Sequence, residues 1–179
     1  MCTWANGVTL VRVLACVAIF TVAGLRHSAT LNLVGLGLYW ALDVLDGWLA
    51  RRLEQETRLG AQLDILSDRL LVTFFYLNHL ALHPGLAAPI VLFLLHFVCV
   101  DHFLSNQFLT FHLLTPNHFD RVDVVAWKLN FSSVAKALNT GLVTMLMLLV
   151  RSPWPAMLVT LGLIAVKLYS VVRLRRVAA

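Results

Sequence analysis

Asp43-Val-Leu-Asp46-Gly47-Trp-Leu-Ala50-Arg51, followed by Gly60, Asp64 and Asp68, sets four carboxylates inside sequence otherwise apolar enough for a membrane. On a helix of about 3.6 residues per turn, positions 43, 46, 47, 50 and 51 follow the i, i+3, i+4, i+7, i+8 pattern and share one face. Gly60, Asp64 and Asp68 do the same at i, i+4, i+8. Two such helices, facing each other across a short turn, bring all four carboxylates together. Unpaired carboxylates in a low-dielectric setting cost several kcal/mol each, so the cluster is destabilising unless cations sit among it. The pattern calls for divalent metal.

Composition independently points to a bilayer. Hydrophobic residues make up 60% of 179 positions and charged residues 13%, against roughly 25% charged in soluble domains. The expectation is an all-α integral membrane protein, a single domain over residues 1–179 with no soluble domain appended and no internal repeat. Apolar stretches near the roughly 20 residues needed to cross a bilayer run at about 8–25, 30–50, 61–82, 86–105, 132–150 and 154–172, which gives six spans. The first is too long, and too closely followed by another, for a cleaved signal peptide. Between Ser105 and Asn130 the sequence is polar and aromatic by turns and is broken by Pro116, which suits an interfacial segment.

Lys and Arg near span ends favour the cytoplasmic side. With the N-terminus inside, the inner loops collect Arg51, Arg52, Arg58, Arg121 and Lys128, the tail adds Arg173, Arg175 and Arg176, and the outer loops hold Arg26 and Arg151. Both termini and the Asp cluster, on the second and third spans, then face the cytoplasm. The formal charge of +5 follows from this topology and from attraction to anionic headgroups. No basic patch interleaved with aromatics argues for nucleic acid.

Cys2, Cys16 and Cys99 are scattered and lack C-x2-C spacing, so neither a disulfide framework nor a zinc site is expected. His79 and His83, four apart, have no third ligand in view and read as a polar fringe at the outer end of the third span. His96, His102, His112 and His118 read as interfacial or capping residues.

The spacing D-x2-D-G-x2-A-R-x8-G-x3-D-x3-D, eight fixed residues over positions 43 to 68, resembles the signature of the CDP-alcohol phosphotransferase family, which includes phosphatidylglycerophosphate, phosphatidylinositol and cardiolipin synthases. The resemblance implies transfer of a phosphatidyl group from a CDP-diacylglycerol donor to a hydroxyl acceptor with release of CMP, in glycerophospholipid synthesis. It also implies a homodimer. Asp43, Asp46 and Asp64 offer hard oxygen ligands to Mg2+ or Mn2+, and two such ions about 3.5–4 Å apart suit a pyrophosphate. By its match to the last Asp of the motif, Asp68 completes the second metal site and serves as general base. Gly47 gives up roughly 1 kcal/mol of helix propensity relative to Ala and leaves backbone that a nucleotide can approach, with Ala50 keeping the same groove shallow. Arg51 is placed for charge-assisted contacts to a phosphate. Gly60, with the rest of the motif, falls on the nucleotide side.

Asn6, Thr9 and Arg12 resemble the N-x2-T-x2-R that opens the first helix of many family members and lines the nucleotide pocket; Asn6 reads equally as a helix N-cap. Lys136, Asn139 and Thr140 fall at i, i+3, i+4 on the fifth span and resemble the Lys, Asn and Thr found at this place in some CMP-forming cardiolipin synthases, whereas Ala135 and Leu138 depart from the Gly-Lys and second Lys of phosphatidylglycerophosphate synthases. Lys136 and Asn139 are thus candidate acceptor residues, with Arg121 and Lys128 next in line, although a lone lysine near a membrane surface often only snorkels. Glycerol 3-phosphate and phosphatidylglycerol are the favoured acceptors, with an inositol phosphate or another polyol as the alternative. A buried ion-pair network setting the four acids against Arg51 and Arg69 would leave net negative charge uncompensated. A membrane cation or proton pathway is the rival class, and it would string its acids across the bilayer instead of gathering them near one end.

Overall fold

The computed structural model describes residues 4–150 and 152–178, and every regular element among them is helical. Cys2 and Arg151 lie outside the described residues. The chain divides into two compact units, one ending at Pro84 and the other beginning at Gly85.

Three long helices build the first unit: α1 (Trp4–Leu25), α2 (Ala29–Arg52) and α3 (Arg58–Leu82). Their ends are written in local chemistry. The Ser28 hydroxyl accepts from Leu31 N at 3.3 Å to start α2, and the Thr57 hydroxyl accepts from Gly60 N at 3.0 Å to start α3. His27 and Glu54 close α1 and α2 in the left-handed region, at φ 46° and 54°. Each is followed by a bond back across the last turn, Ser28 N to Ala23 O and Gln55 N to Ala50 O, both at 2.9 Å. The connection at 53–57 is short, so α2 and α3 run antiparallel.

Cys16, Phe20 and Ala23 of α1, Leu36 and Tyr39 of α2, and Leu71, Val72, Phe75 and Tyr76 of α3 fill the core of this unit. A Cβ on Gly35 would stand 2.6 Å from the Phe20 ring, so the missing side chain lets that ring lie against α2. Asn78 donates to Phe20 O at 2.8 Å and to Asn32 Oδ1 at 3.2 Å, while Asn32 donates to Phe75 O at 3.1 Å. These amides tie all three helices together about ten residues, or roughly 15 Å of helix, beyond Asp68.

The second unit holds a rod of α4 (Ala87–Leu95), a π-helical stretch (His96–Asp101) and α5 (His102–Thr110). After a 3-10 turn (Pro116–Arg121) come α6 (Val124–Asn130), α7 (Ser133–Lys136), a second π-helical stretch (Ala137–Leu142), α8 (Val143–Leu149) and α9 (Trp154–Ala178). Lys167 of α9, 2% exposed, is paired with Asp101 and donates to Asn130 Oδ1 at 3.4 Å, and Asn130 donates to Ser170 Oγ at 2.7 Å. Asp123 caps α6 through Ala126 N at 2.8 Å and accepts two bonds from Arg173, at 3.0 and 2.8 Å.

Among the described residues five helical stretches are long and apolar enough to cross a membrane: Asn6–Leu25, Ala29–Arg52, Pro84–Thr110, Val124–Leu149 and Trp154–Val177. Their leucines at positions 10, 14, 33, 95, 158 and 161 are exposed, as lipid-facing residues must be. The count of six spans is thus met at five. α3 is long enough at 25 residues, but Asp64, Asp68, Arg69, Asn78 and His79 dilute its apolar character. The stretch from Pro84 runs on to Thr110 and the next starts at Val124, where Asp123 caps it, so the expected interfacial segment of Ser105–Asn130 shrinks to the stretch from 111 to 123.

Candidate active site

Arg12 lies at the centre of the carboxylate cluster. Its side chain is 0% exposed, and its guanidinium reaches both acidic helices. Nη1 is paired with Asp43 and stands 3.3 Å from Asp46 Oδ2, while Nη2 stands 2.8 Å from Asp64 Oδ1 and 3.5 Å from Asp68 Oδ1. One turn earlier on α1, Thr9 donates its hydroxyl to Asp46 Oδ2 at 3.1 Å. The i, i+3 spacing of Thr9 and Arg12 puts both on the face of α1 turned towards the acids.

The four acids are not equivalent. Asp46 is buried, at 5% side-chain exposure, and Thr9 and Arg12 hold it from behind. Asp43 and Asp64 are open to solvent at 36% and 45%, with Asp68 between these extremes. The cluster therefore has a closed back and an open mouth. Carboxylate oxygens of Asp43, Asp64 and Asp68 all lie within 4.8 Å of one another, a hard-oxygen set of the kind Mg2+ and Mn2+ take. One guanidinium cannot balance four carboxylates, and the site stays net negative even with Arg69 counted. The donor set fits a divalent cation.

The remaining motif residues surround this mouth. Arg51 is exposed and in no ion pair among the described residues, and its guanidinium lies over Gly47, whose added Cβ would meet Nη1 at 3.4 Å. Ala50 is half-buried one turn on. Gly60 meets a different constraint: a Cβ there would stand 2.8 Å from Asn6 Oδ1 and 3.0 Å from Thr57 Oγ1. Asn6 lies inside α1 and so is not its N-cap. Its side chain lies against the start of α3 instead.

The candidate acceptor residues belong to the second unit. Lys136 ends α7 and donates to Asn117 Oδ1 of the 3-10 turn at 2.6 Å. The π-helical stretch that follows changes the register, so the expected i, i+3, i+4 face is not kept. Asn139 turns to Leu129 O at 3.5 Å, and Thr140 bonds back to Lys136 O at 3.4 Å. Arg121 is exposed at the end of the 3-10 turn. His79 stacks on Phe75 with ring centroids 5.8 Å apart, and His83 meets it edge-on at 4.6 Å. Among the described residues neither histidine joins a group of three or more metal-ligating side chains.

Two features went unread in the sequence. Arg12 was legible as part of N-x2-T-x2-R, but its place among the acids was not, since Arg51 and Arg69 were the cations nearest in sequence. Lys167 and Asp101 carried no signal, being far apart in apolar helices.

The family model described as CDP-alcohol phosphatidyltransferase matches residues 2–171. The chain belongs to the CDP-alcohol phosphatidyltransferase family. A CDP-diacylglycerol–glycerol-3-phosphate 3-phosphatidyltransferase of Aquifex aeolicus (strain VF5) is 35% identical over 82 residues, covering 45% of this chain and 46% of that relative. The match thus spans about half the length of that curated relative. No solved structure matches the chain. The family model runs through both compact units and includes the whole stretch from Asp43 to Asp68.

Proposed function

We propose that this chain transfers a phosphatidyl group from CDP-diacylglycerol to an alcohol and releases CMP, as a metal-dependent, multi-pass membrane enzyme of glycerophospholipid synthesis. The observation that carries the proposal is the convergence of Asp43, Asp46, Asp64 and Asp68 on one open-mouthed site in a chain of this family. Glycerol 3-phosphate is the favoured acceptor, supported by the name of the Aquifex aeolicus relative, with phosphatidylglycerol next and an inositol phosphate after it.

Asp43, Asp46, Asp64 and Asp68 would hold one or two Mg2+ or Mn2+ ions, which when bound supply charge neutralisation at the donor pyrophosphate. Arg51 offers an exposed guanidinium to a phosphate, and Gly47 beneath it leaves room for the nucleotide. Asp68 takes the proton of the acceptor hydroxyl. That oxygen attacks the lipid-side phosphorus in line, the bond from this phosphorus to the bridging oxygen breaks, and CMP leaves with the bonding pair. No motif side chain is suited to a covalent intermediate, so displacement is direct.

In this proposal α3 is a sixth span, the two units form one membrane domain, and both termini and the site face the cytoplasm, where Arg51, Arg52 and Arg58 cluster. Homodimers are expected, as in the family. The test is CMP release by purified protein from CDP-diacylglycerol, run with each acceptor, with Mg2+ or Mn2+ and after chelation. Release that needs both metal and acceptor supports the proposal. Ion flux in proteoliposomes without CMP release would favour the cation-pathway class instead.

A further inference from the structure

Arg12 is the one fully buried cation of the site, and it comes from a helix outside the Asp motif. A guanidinium carries its donors in a fixed plane suited to one or two carboxylates, yet this one is shared among four. Its Nε is buried without a hydrogen-bond partner, so the pose does not satisfy the group fully. The face of Tyr39 lies alongside, with the ring centroid 5.8 Å from the guanidinium carbon, and offers a second surface on which an arginine can rest.

The three carboxylates whose oxygens approach one another within 4.8 Å, those of Asp43, Asp64 and Asp68, are also three of the four that Arg12 contacts. A divalent ion among those oxygens and the guanidinium in its present position would claim the same lone pairs and repel each other. Without either, the acids would repel one another across the α2–α3 gap. The group that holds the site together in the absence of metal therefore stands where metal is wanted.

We propose that Arg12 is a resident stand-in cation: its guanidinium keeps the four carboxylates gathered before an ion binds, and has to surrender contacts to Asp43, Asp64 and Asp68 when one enters. This rests on the metal-binding function proposed above. It makes Arg12 a positioning residue that keeps the site assembled at a cost in metal affinity.

The test uses full-length protein in detergent with no lipid or nucleotide substrate. Mn2+ binding is measured by calorimetry, and unfolding temperature in EDTA and in Mn2+, for wild type and Arg12→Gln. In EDTA, Arg12→Gln should melt lower than wild type. It should bind Mn2+ at least tenfold more tightly and gain a larger upward shift in melting temperature on adding the ion. A folded Arg12→Gln with equal or weaker Mn2+ affinity overturns the inference while leaving the metal site standing. Wild type that binds no Mn2+ overturns both. Should Arg12→Gln fail to fold, 15N-guanidinium NMR of wild type decides: the Arg12 Nη signals should shift on titrating Mg2+ into the EDTA-treated protein, and signals unchanged at saturating Mg2+ refute the displacement.

Discussion

The Thr9 hydroxyl donates to Asp46 Oδ2 at 3.1 Å, and this bond separates the one buried carboxylate of the motif from the three that open to solvent. Asp46 is fixed from behind by α1, whereas Asp68, on α3, has no hydrogen-bond partner at its Oδ1 among the described residues and is more exposed. The two acids should fail differently. Asp68→Asn should abolish turnover and leave appreciable metal-dependent CDP binding. Asp46→Asn should weaken both, since it removes charge from the back wall and leaves Arg12 with one carboxylate fewer. Calorimetry with CDP and Mg2+ distinguishes them, and equal loss of nucleotide binding in the two variants would refute the division of labour.

Within 4 Å an added Cβ on Gly47 would meet the guanidinium of Arg51, with Nη1 at 3.4 Å, and no backbone of another helix. Gly47→Ala should therefore fold, with a melting temperature equal to wild type or higher, because alanine is the better helix former by roughly 1 kcal/mol. Activity should still fall, through a clash with the bound nucleotide. A variant that unfolds, or one that turns over normally, contradicts the close-approach argument.

Gly60 should behave in the opposite way despite belonging to the same motif. An added methyl would meet Asn6 Oδ1 at 2.8 Å and the capping hydroxyl of Thr57 at 3.0 Å, so the Asn6 side chain and the Thr57 cap cannot both keep their places. Overpacking of this kind costs about 1–3 kcal/mol, here towards the low end because both obstacles are side-chain tips. Gly60→Ala should melt lower than wild type, and adding Asn6→Ala should recover part of the loss. Thermal unfolding of the single and double variants is the measurement.

The contrast between these glycines shows what the sequence could and could not tell. The Asp43 to Asp68 spacing was enough to gather the acids, because helix geometry alone puts those positions on two facing stripes. The apolar stretches at 30–50 and 61–82 likewise fell close to α2 and α3, whose starts the structure fixes at the Ser28 and Thr57 caps. The reason for Gly60 was not legible, since it lies in a side chain of a different helix. Arg12 was hidden for the same cause: a motif read along one helix pair gives no view of the third helix packed against it. In the second unit, π-helical stretches at His96–Asp101 and Ala137–Leu142 shift the register, so the regular spacing assumed for Lys136, Asn139 and Thr140 was misleading.

Asp123 gives a pH test away from the site. The Arg173 hydrogen bonds hold its carboxyl below the usual carboxylate range; burial works against them, and the Ala126 amide adds to them. A lowered folded value means that the unfolded chain takes up the proton first as pH falls. The stabilisation is then complete above the ordinary Asp value of about 3.9 and is lost as pH drops through the lowered folded value. Asp123→Asn keeps a capping oxygen for Ala126 but loses the charge. Its melting temperature should lie below that of wild type at pH 7, and the gap should close progressively below pH of about 4. A gap independent of pH would assign the loss to packing or capping.

Acceptor choice turns on Lys136, whose exposed ammonium group donates to Asn117 Oδ1 at 2.6 Å. A snorkelling lysine needs no such partner, because water satisfies its head at no cost. The bond to Asn117 instead restrains a long side chain and points its charge at the 3-10 turn that also carries Arg121. If this charge holds the phosphate of an acceptor, removing it should change acceptor affinity far more than donor affinity. Lys136→Ala is expected to raise the acceptor Michaelis constant about tenfold or more, equivalent to about 1.4 kcal/mol, with the CDP-diacylglycerol constant little changed. Asn117→Ala leaves the charge but frees it, so the same constant should rise by a smaller factor, and both variants should melt near wild type because the pair is exposed. Steady-state kinetics with glycerol 3-phosphate, phosphatidylglycerol and an inositol phosphate provide the check. Wild-type behaviour of Lys136→Ala towards every acceptor would leave Lys136 a surface lysine and move the search to Arg121 and Lys128.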